Sequence, residues 1–299
     1  MLNHEQRLAA EEHLYLDMTQ VARFSAYILH RPLRSYQQMA AAAIVDSVLQ
    51  AKGLTFAVMM SRQAGKNETS AHIEAFLLNY FRRRGGNIVK VSPTFKPQTI
   101  NSLLRLQSLF QGSDLPPADP QHGYMLVVGR ARCSFYSGAP GSNVVGATAD
   151  LLLEADEAQD LDAVKWNKEF RPMGASTNVT SVLWGTAWTH ETLLAQTIRA
   201  LRAHENQDGQ RRVFIVPWQH VAHEVPTYGT YVQNEAQRLG PDHPLIRTQY
   251  ELQEIDERGG MFPPPTRTLM QGQHPRARTP TDGAPAACSM ALTFGWFRK

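Results

Sequence analysis

The sequence has few cysteines and no long apolar segment, and each shortage excludes a class of protein. Cys133 and Cys288 are the only two cysteines in 299 residues, and they stand far apart without a metal-ligand spacing. They predict reduced thiols in a cytoplasmic protein rather than a disulfide framework. No apolar segment approaches the roughly 20 residues of a membrane-spanning helix, so we expect no membrane association. The charged N-terminal segment also lacks the apolar region of a secretory signal.

The charge balance is also unremarkable. A formal net charge of +3 is too small to identify a nucleic-acid-binding protein by itself. Hydrophobic residues make up 42% of the chain and charged residues 19%, a composition typical of a globular protein. A chain of 299 residues is long enough for one large or two ordinary domains.

Short apolar segments alternate with amphipathic ones along most of the chain. Strands are predicted at 54–60, in "NIVKV" and at 151–155, 179–185 and 211–218, with helices after several of them. This alternation favours an α/β fold with a mainly parallel sheet flanked by helices. Trp184 and Trp188 are predicted to be core residues. After Gly272 the sequence is rich in Pro, Ala and Arg without periodicity, which predicts a disordered tail.

The segment "FAVMMSRQAGKNETSAHIEAF", residues 56–76, places an apolar strand, a turn ending in Gly65-Lys66 and a helical pattern in succession. A phosphate-binding loop needs this order, because its N–H groups and the helix N-terminus surround the anion while a lysine reaches the terminal phosphates. Met60 stands where the common motif has Gly, and Asn67 where it has Ser or Thr. Asn67 offers Mg²⁺ a carbonyl oxygen instead of a hydroxyl. The segment alone leaves open an ordinary strand–turn–helix with a surface lysine.

An acidic pair occurs in "ADLLLEADEAQDLD". At the end of a buried strand, Asp156 would hold the Mg²⁺ shell and Glu157 would polarise the attacking water. Leu, Ala and Glu also favour helix, so an exposed acidic helix is an equal alternative. "SVLWGTAWT" follows as a third apolar strand, and a polar residue at its end is a candidate sensor of the γ-phosphate.

With "SRQAGKNE", "LLLEADEAQ" and "LWGTAW" in this order, residues 30–260 resemble the ATPase domain of tailed-phage terminase large subunits. These motors package double-stranded DNA into procapsids. The resemblance implies a P-loop NTPase of the RecA-like (ASCE) type that hydrolyses ATP with Mg²⁺. Terminase loops commonly read S-R-Q-x-G-K, which accounts for Met60. The implied partners are double-stranded DNA, a portal protein, a terminase small subunit and further copies of the chain in a ring, in the host cytoplasm.

The resemblance also implies roles for individual residues. Lys66 would bind the β- and γ-phosphates, Arg62 would be an arginine finger, and Glu157 would be the catalytic glutamate. Asp156 and Asn67 would hold Mg²⁺. The nucleotide-binding set is Ser61, Arg62, Gln63, Ala64, Gly65, Lys66 and Asn67, with Tyr36 and Gln37 as the adenine-reading element and Gly185, Thr186 and Ala187 as the coupling motif.

The resemblance predicts three regions: N-terminal helices with the adenine-reading element at 1–50, the ATPase core at 51–260, and a linker remnant with a disordered tail at 261–299. We expect the nuclease domain of terminase large subunits to be absent and this chain not to cleave DNA. Two other functions stay open. One is another DNA-dependent ATPase of the helicase type, and the other is a degenerate nucleotide-binding assembly subunit without catalysis.

Overall fold

The structure, a computed structural model, describes residues 20–142, 144 and 146–255. The expected tail at 261–299, Cys288 and residues 1–19 of the expected N-terminal helices lie outside these residues. Within the described ranges, none of the helices combines the length and the hydropathy needed to cross a membrane.

One sheet of eight strands organises the fold. In chain order, the strands are β1 Thr55–Met60, β2 Gly86–Ser92, β3 Asp119–Gln121, β4 Met125–Val128, β5 Ala131–Ser137, β6 Leu152–Ala155, β7 Thr180–Gly185 and β8 Val213–Val216. Their order across the sheet is β3-β4-β5-β2-β6-β7-β1-β8. Neighbouring strands are parallel along the series β5-β2-β6-β7-β1-β8. At the β5 edge, β4 and then β3 extend the sheet in antiparallel pairing. The predicted α/β fold with a mainly parallel sheet is confirmed.

The main helices connect these strands across the two faces of the sheet. They are α1 Val21–Tyr27, α2 Ser35–Leu49, α3 Lys66–Phe81, α4 Ile100–Gln111, α5 Leu193–Asp208, α6 Trp218–Glu224, α7 Pro226–Leu239 and α8 Pro244–Gln249. Short helical turns occupy Phe95–Thr99 and residues 163–174. The acidic-helix alternative for Asp156 and Glu157 is wrong, because the apolar residues before them form β6 between β2 and β7.

Apolar side chains pack on both faces of the sheet, as expected where parallel strands are covered by helices. Along β1, Phe56, Val58 and Met60 belong to one cluster, and Ala57 and Met59 belong to the other. The first cluster also takes in residues from α1, α2 and α3. Such burial supplies the dominant favourable free energy of folding.

A charged network lies inside this core. Lys90 Nζ on β2 donates to Ser70 Oγ (2.7 Å) and to Glu74 Oε1 (2.9 Å), both on α3. Ser70 Oγ also lies 2.8 Å from Glu154 Oε1 on β6, which accepts from Trp184 Nε1 at the same distance. Lys90, Glu74 and Glu154 are at most 2% exposed. The network therefore connects α3 to β2, β6 and β7 without contact with solvent.

The charges of this network are arranged around a single cation. Burial alone would lower the pKa of the Lys90 ammonium, but the charges of Glu74 and Glu154 raise it above its ordinary value. Burial, with the charge of Glu74, raises the pKa of the Glu154 carboxyl well above its ordinary value, which favours the neutral form. The core thus holds one ion pair, Lys90–Glu74, beside a carboxyl group that favours a proton.

We predict that Lys90→Met destabilises the fold by about 3–5 kcal/mol, because it leaves the Glu74 carboxylate buried without its cation. The double variant Lys90→Met/Glu74→Gln recovers part of that loss, since it also removes the unpaired charge. Denaturant titration measures both changes in the free energy of unfolding. Lys52→Met is the control: Lys52 pairs with Asp46 at the surface (2.6 Å), and its loss costs at most about 1 kcal/mol. A Lys90→Met variant as stable as Lys52→Met would contradict the prediction.

Candidate nucleotide-binding site

The turn between β1 and α3 has the geometry of a phosphate-binding loop. Gln63 and Gly65 have positive φ angles of 65° and 91°, and α3 begins at Lys66 immediately afterwards. These left-handed residues bend the chain sharply, so that the loop and the helix N-terminus meet at the end of β1. The φ of 91° favours glycine at residue 65, and a Cβ there would also displace Gln37 Nε2, which it would approach to 2.5 Å.

The predicted adenine-reading residues donate hydrogen bonds to carbonyl groups of this loop. Gln37 Nε2 donates to Gly65 O (3.1 Å), and Gln37 Oε1 accepts from the Arg34 N–H (2.9 Å) at the start of α2. The Tyr36 hydroxyl donates to Ala64 O (3.0 Å). Tyr36 and Gln37 are both buried. Their side chains therefore hold the loop's carbonyl groups in this structure, and their contact with a base stays a prediction.

Lys66 and Glu157 form the central contact of the site. Lys66 Nζ donates to Glu157 Oε2 at 2.8 Å, across 91 residues of sequence. Glu157 follows β6 and has a φ of 48°, a left-handed conformation that is strained for a residue with a side chain. Burial raises the pKa of its carboxyl, but the charge and hydrogen bond of Lys66, with a hydrogen bond from Gln159, lower it below its ordinary value overall. The carboxylate form is thus favoured.

The two predicted magnesium ligands offer oxygen atoms suited to the ion. Asn67 Oδ1 is buried and has no hydrogen-bond partner among the described residues, so a cation would satisfy it. Asp156 is 2% exposed, and its Oδ1 accepts from the Glu157 N–H at 3.1 Å. Burial raises the pKa of the Asp156 carboxyl, against the charges of Lys90 and Lys66. Carbonyl and carboxylate oxygens are ligands that Mg²⁺ accepts, so the residues fit the ion.

Gln159 joins the glutamate to the predicted coupling motif. Its Nε2 donates to Glu157 Oε2 (2.8 Å), and its Oε1 accepts from the Thr186 N–H (3.1 Å). A Cβ on Gly185 would overlap Gln159 Oε1, so the glycine at the end of β7 makes room for this bridge. Gln249 Nε2 on α8 donates weakly to Thr186 Oγ1 (3.4 Å). Sequence reasoning assigned no role to Gln159, although it lies two residues after Glu157.

These groups face a cleft of about 560 Å³ at the carboxyl ends of the parallel strands. Of the predicted site residues, the cleft is lined by Ser61, Arg62, Gln63, Gly65, Lys66, Asn67, Glu157 and Thr186. Ala64, Asp156 and Ala187 are buried behind it. Arg62 is exposed, and within residues 20–142, 144 and 146–255 its guanidinium has no ion-pair partner. The individual roles of these residues stay predictions.

Trp188 corrects one expectation. Trp184 is fully buried, as predicted, but Trp188 is 41% exposed and lines the cleft, so its prediction as a core residue was wrong. The chain leaves the sheet at Gly185, and the loop after it carries Trp188 to the surface. The sequence analysis also missed other residues that line the cleft, namely Gln98, Arg105, Asp160 and Gln249, because local pattern does not show which segments meet there.

Solved structures share this arrangement of sheet and helices. The large terminase of bacteriophage HK97 matches with a TM-score of 0.61 at 15% identity, over 79% of this chain and 55% of that one. A mutant of the large terminase ATPase domain of Thermus phage P74-26 matches with a TM-score of 0.57 at 14% identity, over 76% and 96%. The fold is that of phage large terminase ATPase domains. The fold class predicted from the sequence, an α/β fold with a mainly parallel sheet flanked by helices, is confirmed.

A third structure of terminase fold holds a nucleotide. The large terminase of a thermophilic bacteriophage, in complex with ADP, matches with a TM-score of 0.53 at 10% identity, over 75% of this chain and 54% of that one. The same protein was also crystallised with ATP-γ-S. This chain spans about half the length of these full large terminases. No family model and no curated protein matches the sequence.

Glu68 connects the first turn of α3 to its surroundings at the edge of the cleft. Its carboxylate accepts from Arg105 Nη1 on α4 (2.7 Å) and lies 3.4 Å from His72 Nε2. The nearby His72 ring, then the hydrogen bond from Arg105, lower the pKa of Glu68 to about 2 against the opposing effect of burial. A negative charge in the first turn of a helix is also stabilising.

We predict that Glu68 makes stability depend on pH in the acid range. Its folded-state pKa of about 2 lies below the ordinary 4.5, so its contribution is complete above about pH 4.5 and is lost as pH falls towards 2. The unfolding free energy of the wild type therefore exceeds that of Glu68→Gln at pH 6, and the difference shrinks at pH 3. Denaturant titrations at several pH values measure this. Glu191→Gln, at an exposed carboxylate, is the control. A constant difference between wild type and Glu68→Gln would refute the assignment.

Proposed function

We propose that this chain is the ATPase subunit of a viral DNA-packaging terminase, which hydrolyses ATP to move double-stranded DNA into a procapsid. The observation that carries the proposal is the 2.8 Å contact between Lys66 and Glu157 beside a glycine turn, at the carboxyl ends of parallel strands. This juxtaposition brings together the phosphate-binding lysine and the carboxylate that a P-loop ATPase needs. The likeness of fold to terminase ATPase domains supports the choice among such ATPases.

The contacts suggest how the residues divide the work. Lys66 exchanges its bond to Glu157 for the β- and γ-phosphates of ATP, and the glutamate is then free to polarise the attacking water. Arg62, an exposed residue of the loop, stabilises charge that develops on the transferred phosphoryl group. Asn67 and, through water, Asp156 would hold Mg²⁺, which would supply positive charge to the phosphate oxygens. Gln159, which is hydrogen-bonded to both Glu157 and Thr186, couples a movement of the glutamate to Thr186.

The proposal includes the partners and the location that the terminase resemblance implies. The chain acts in the host cytoplasm as a homo-oligomeric ring, with a portal protein and a terminase small subunit, on double-stranded DNA. Its N-terminal region at 1–50 and its ATPase core at 51–260 form the motor part. The hydrogen-bonded Tyr36 and Gln37 agree with a joint function of the first two regions, because they hold the loop of the core.

The first test is ATP hydrolysis by the purified chain with Mg²⁺, with and without linear double-stranded DNA. We expect Glu157→Gln to reduce turnover about a hundredfold or more while ATP still binds, because the general base is lost. Lys66→Ala is expected to abolish turnover by weakening phosphate binding. Lys52→Ala, at a surface lysine, is expected to keep wild-type turnover. If wild type and all variants bound ATP but were equally inactive, the chain would be a degenerate nucleotide-binding subunit instead.

The second test concerns the metal. We expect Asn67→Ala to raise the Mg²⁺ concentration needed for half-maximal ATP hydrolysis by about tenfold, since a metal ligand is removed. Asn67→Ser supplies a hydroxyl at the position where the common motif has one and is expected to retain Mg²⁺ use. Asn101→Ala, at an exposed position on α4, is the control. An unchanged Mg²⁺ requirement in Asn67→Ala would show that Asn67 is not a ligand.

A further inference from the structure

A second pocket adjoins the cleft on the side of the loop that faces the C-terminal helices. It has a volume of about 380 Å³ and shares Arg62, Gln63 and Gln249 with the cleft, so the two lie on either side of these residues. Its other walls come from α7 and α8 and from Tyr250, which follows α8. None of the sequence motifs assigns a role to this pocket.

Three tyrosines form part of the walls of this pocket. Tyr228, Tyr231 and Tyr250 all line it, and the rings of Tyr231 and Tyr250 meet edge to face, with centroids 6.5 Å apart at 63°. Tyr231 is 51% exposed, whereas Tyr250 is buried. An exposed ring supported by a buried one is a surface on which a planar ligand can stack, because every nucleobase has a π-face.

Hydrogen bonds fix these walls to the phosphate loop. The Tyr228 hydroxyl donates to Arg62 O (2.6 Å) and lies 3.1 Å from Ser61 Oγ. The Arg62 N–H in turn donates to Gln249 O on α8 (2.8 Å). The aromatic pocket is therefore held at a constant position relative to the residues that would hold phosphate.

The order of the strands decides which end of a nucleotide points to this pocket. In the sheet, β1 with its loop lies between β7 and β8, and β6 with Asp156 and Glu157 lies beyond β7. The metal-bearing end of a triphosphate on the loop must point towards β6. The opposite end, which carries the ribose and base, then points towards β8 and the helices α6 to α8 that follow it.

The residues predicted to read adenine, Tyr36 and Gln37, use their polar atoms in hydrogen bonds to the protein backbone. Gln37 uses its amide nitrogen on Gly65 O and its amide oxygen on the Arg34 N–H. Tyr36 is 6% exposed and lies beneath the loop, with its hydroxyl on Ala64 O. Neither side chain lines the cleft or the aromatic pocket.

We propose that the pocket formed by Tyr228, Tyr231 and Tyr250 is the nucleobase subsite, with Tyr231 as the stacking surface. Tyr36 and Gln37 then act as positioning residues of the phosphate loop rather than as readers of the base. The proposal rests on the function proposed above, because it needs the triphosphate on the loop. It assigns base recognition to the C-terminal helices, so nucleotide binding ties them to the sheet.

The test compares two ligands that share the triphosphate and differ in the base. Calorimetric titration with Mg²⁺ measures the affinity of ATP and of inorganic tripolyphosphate for wild type, Tyr231→Ala and Tyr231→Phe. We expect Tyr231→Ala to weaken ATP binding about tenfold and to leave tripolyphosphate binding unchanged. Tyr231→Phe keeps the ring and is expected to bind both as wild type does. Tyr27→Ala, at another exposed tyrosine, is the control.

Several results would contradict the proposal that the base binds at Tyr231. One is a Tyr231→Ala variant that binds ATP as tightly as wild type, and another is a variant that loses both ligands equally. A loss of ATP affinity alone in Gln37→Ala or Trp188→Ala, without any loss in Tyr231→Ala, would place the base at those residues. Failure of the proposed function looks different: Lys66→Ala would then bind tripolyphosphate as wild type does, whatever Tyr231→Ala showed.

Discussion

The contact between Lys66 and Glu157 depends on the parallel order of three strands. β1 delivers the loop before Lys66, and β6 delivers Glu157, but the two strands are separated by β7, which pairs with both. Parallel strands end at the same edge of a sheet, so residues 91 positions apart meet there. A loop motif without this pairing would be a surface turn. The chemistry of the site is thus a consequence of sheet topology more than of any one motif.

A contiguous hydrogen-bonded path leads from this contact to the C-terminal helices. Glu157 shares one oxygen between Lys66 and Gln159, so a group that takes Lys66 away changes the surroundings of Gln159. Gln159 continues to the Thr186 N–H, and Thr186 continues to Gln249 on α8. Gln249 O returns to the loop at the Arg62 N–H. These contacts join the loop, β6, β7 and α8 in a closed ring of hydrogen bonds, so a change at Lys66 would alter the surroundings of each of these elements.

The secondary structure around the motifs could be predicted from local sequence patterns. The side chains that distant segments bring to the cleft and the pocket could not, because their positions depend on long-range packing. The strand, turn and helix around Gly65 could be read from periodicity, and so could the strand before Asp156 once its order with the other motifs was weighed. Trp188 was misplaced because apolar character predicts burial only while the chain remains in the sheet. Gln159 and Tyr231 carried no signal, since polar and aromatic residues on loops and helices are common. Their roles arise from the segments that the fold places opposite them.

The buried network makes the carboxyl groups of β6 depend on the cation of the neighbouring strand, Lys90 on β2. Glu154 occupies a central position of β6, where an apolar side chain would pack most simply, and Asp156 follows two residues later. Lys90 on the neighbouring strand is the buried cation that faces Glu74, Glu154 and Asp156 together. Without it, three carboxyl groups would share one apolar interior without that buried cation beside them. The positive charge of Lys90 acts against the rise in the pKa of the Asp156 carboxyl that burial causes, so it favours the ionised form that the proposed Mg²⁺ ligand needs. Substitutions at β2 and β6 are therefore not independent of one another.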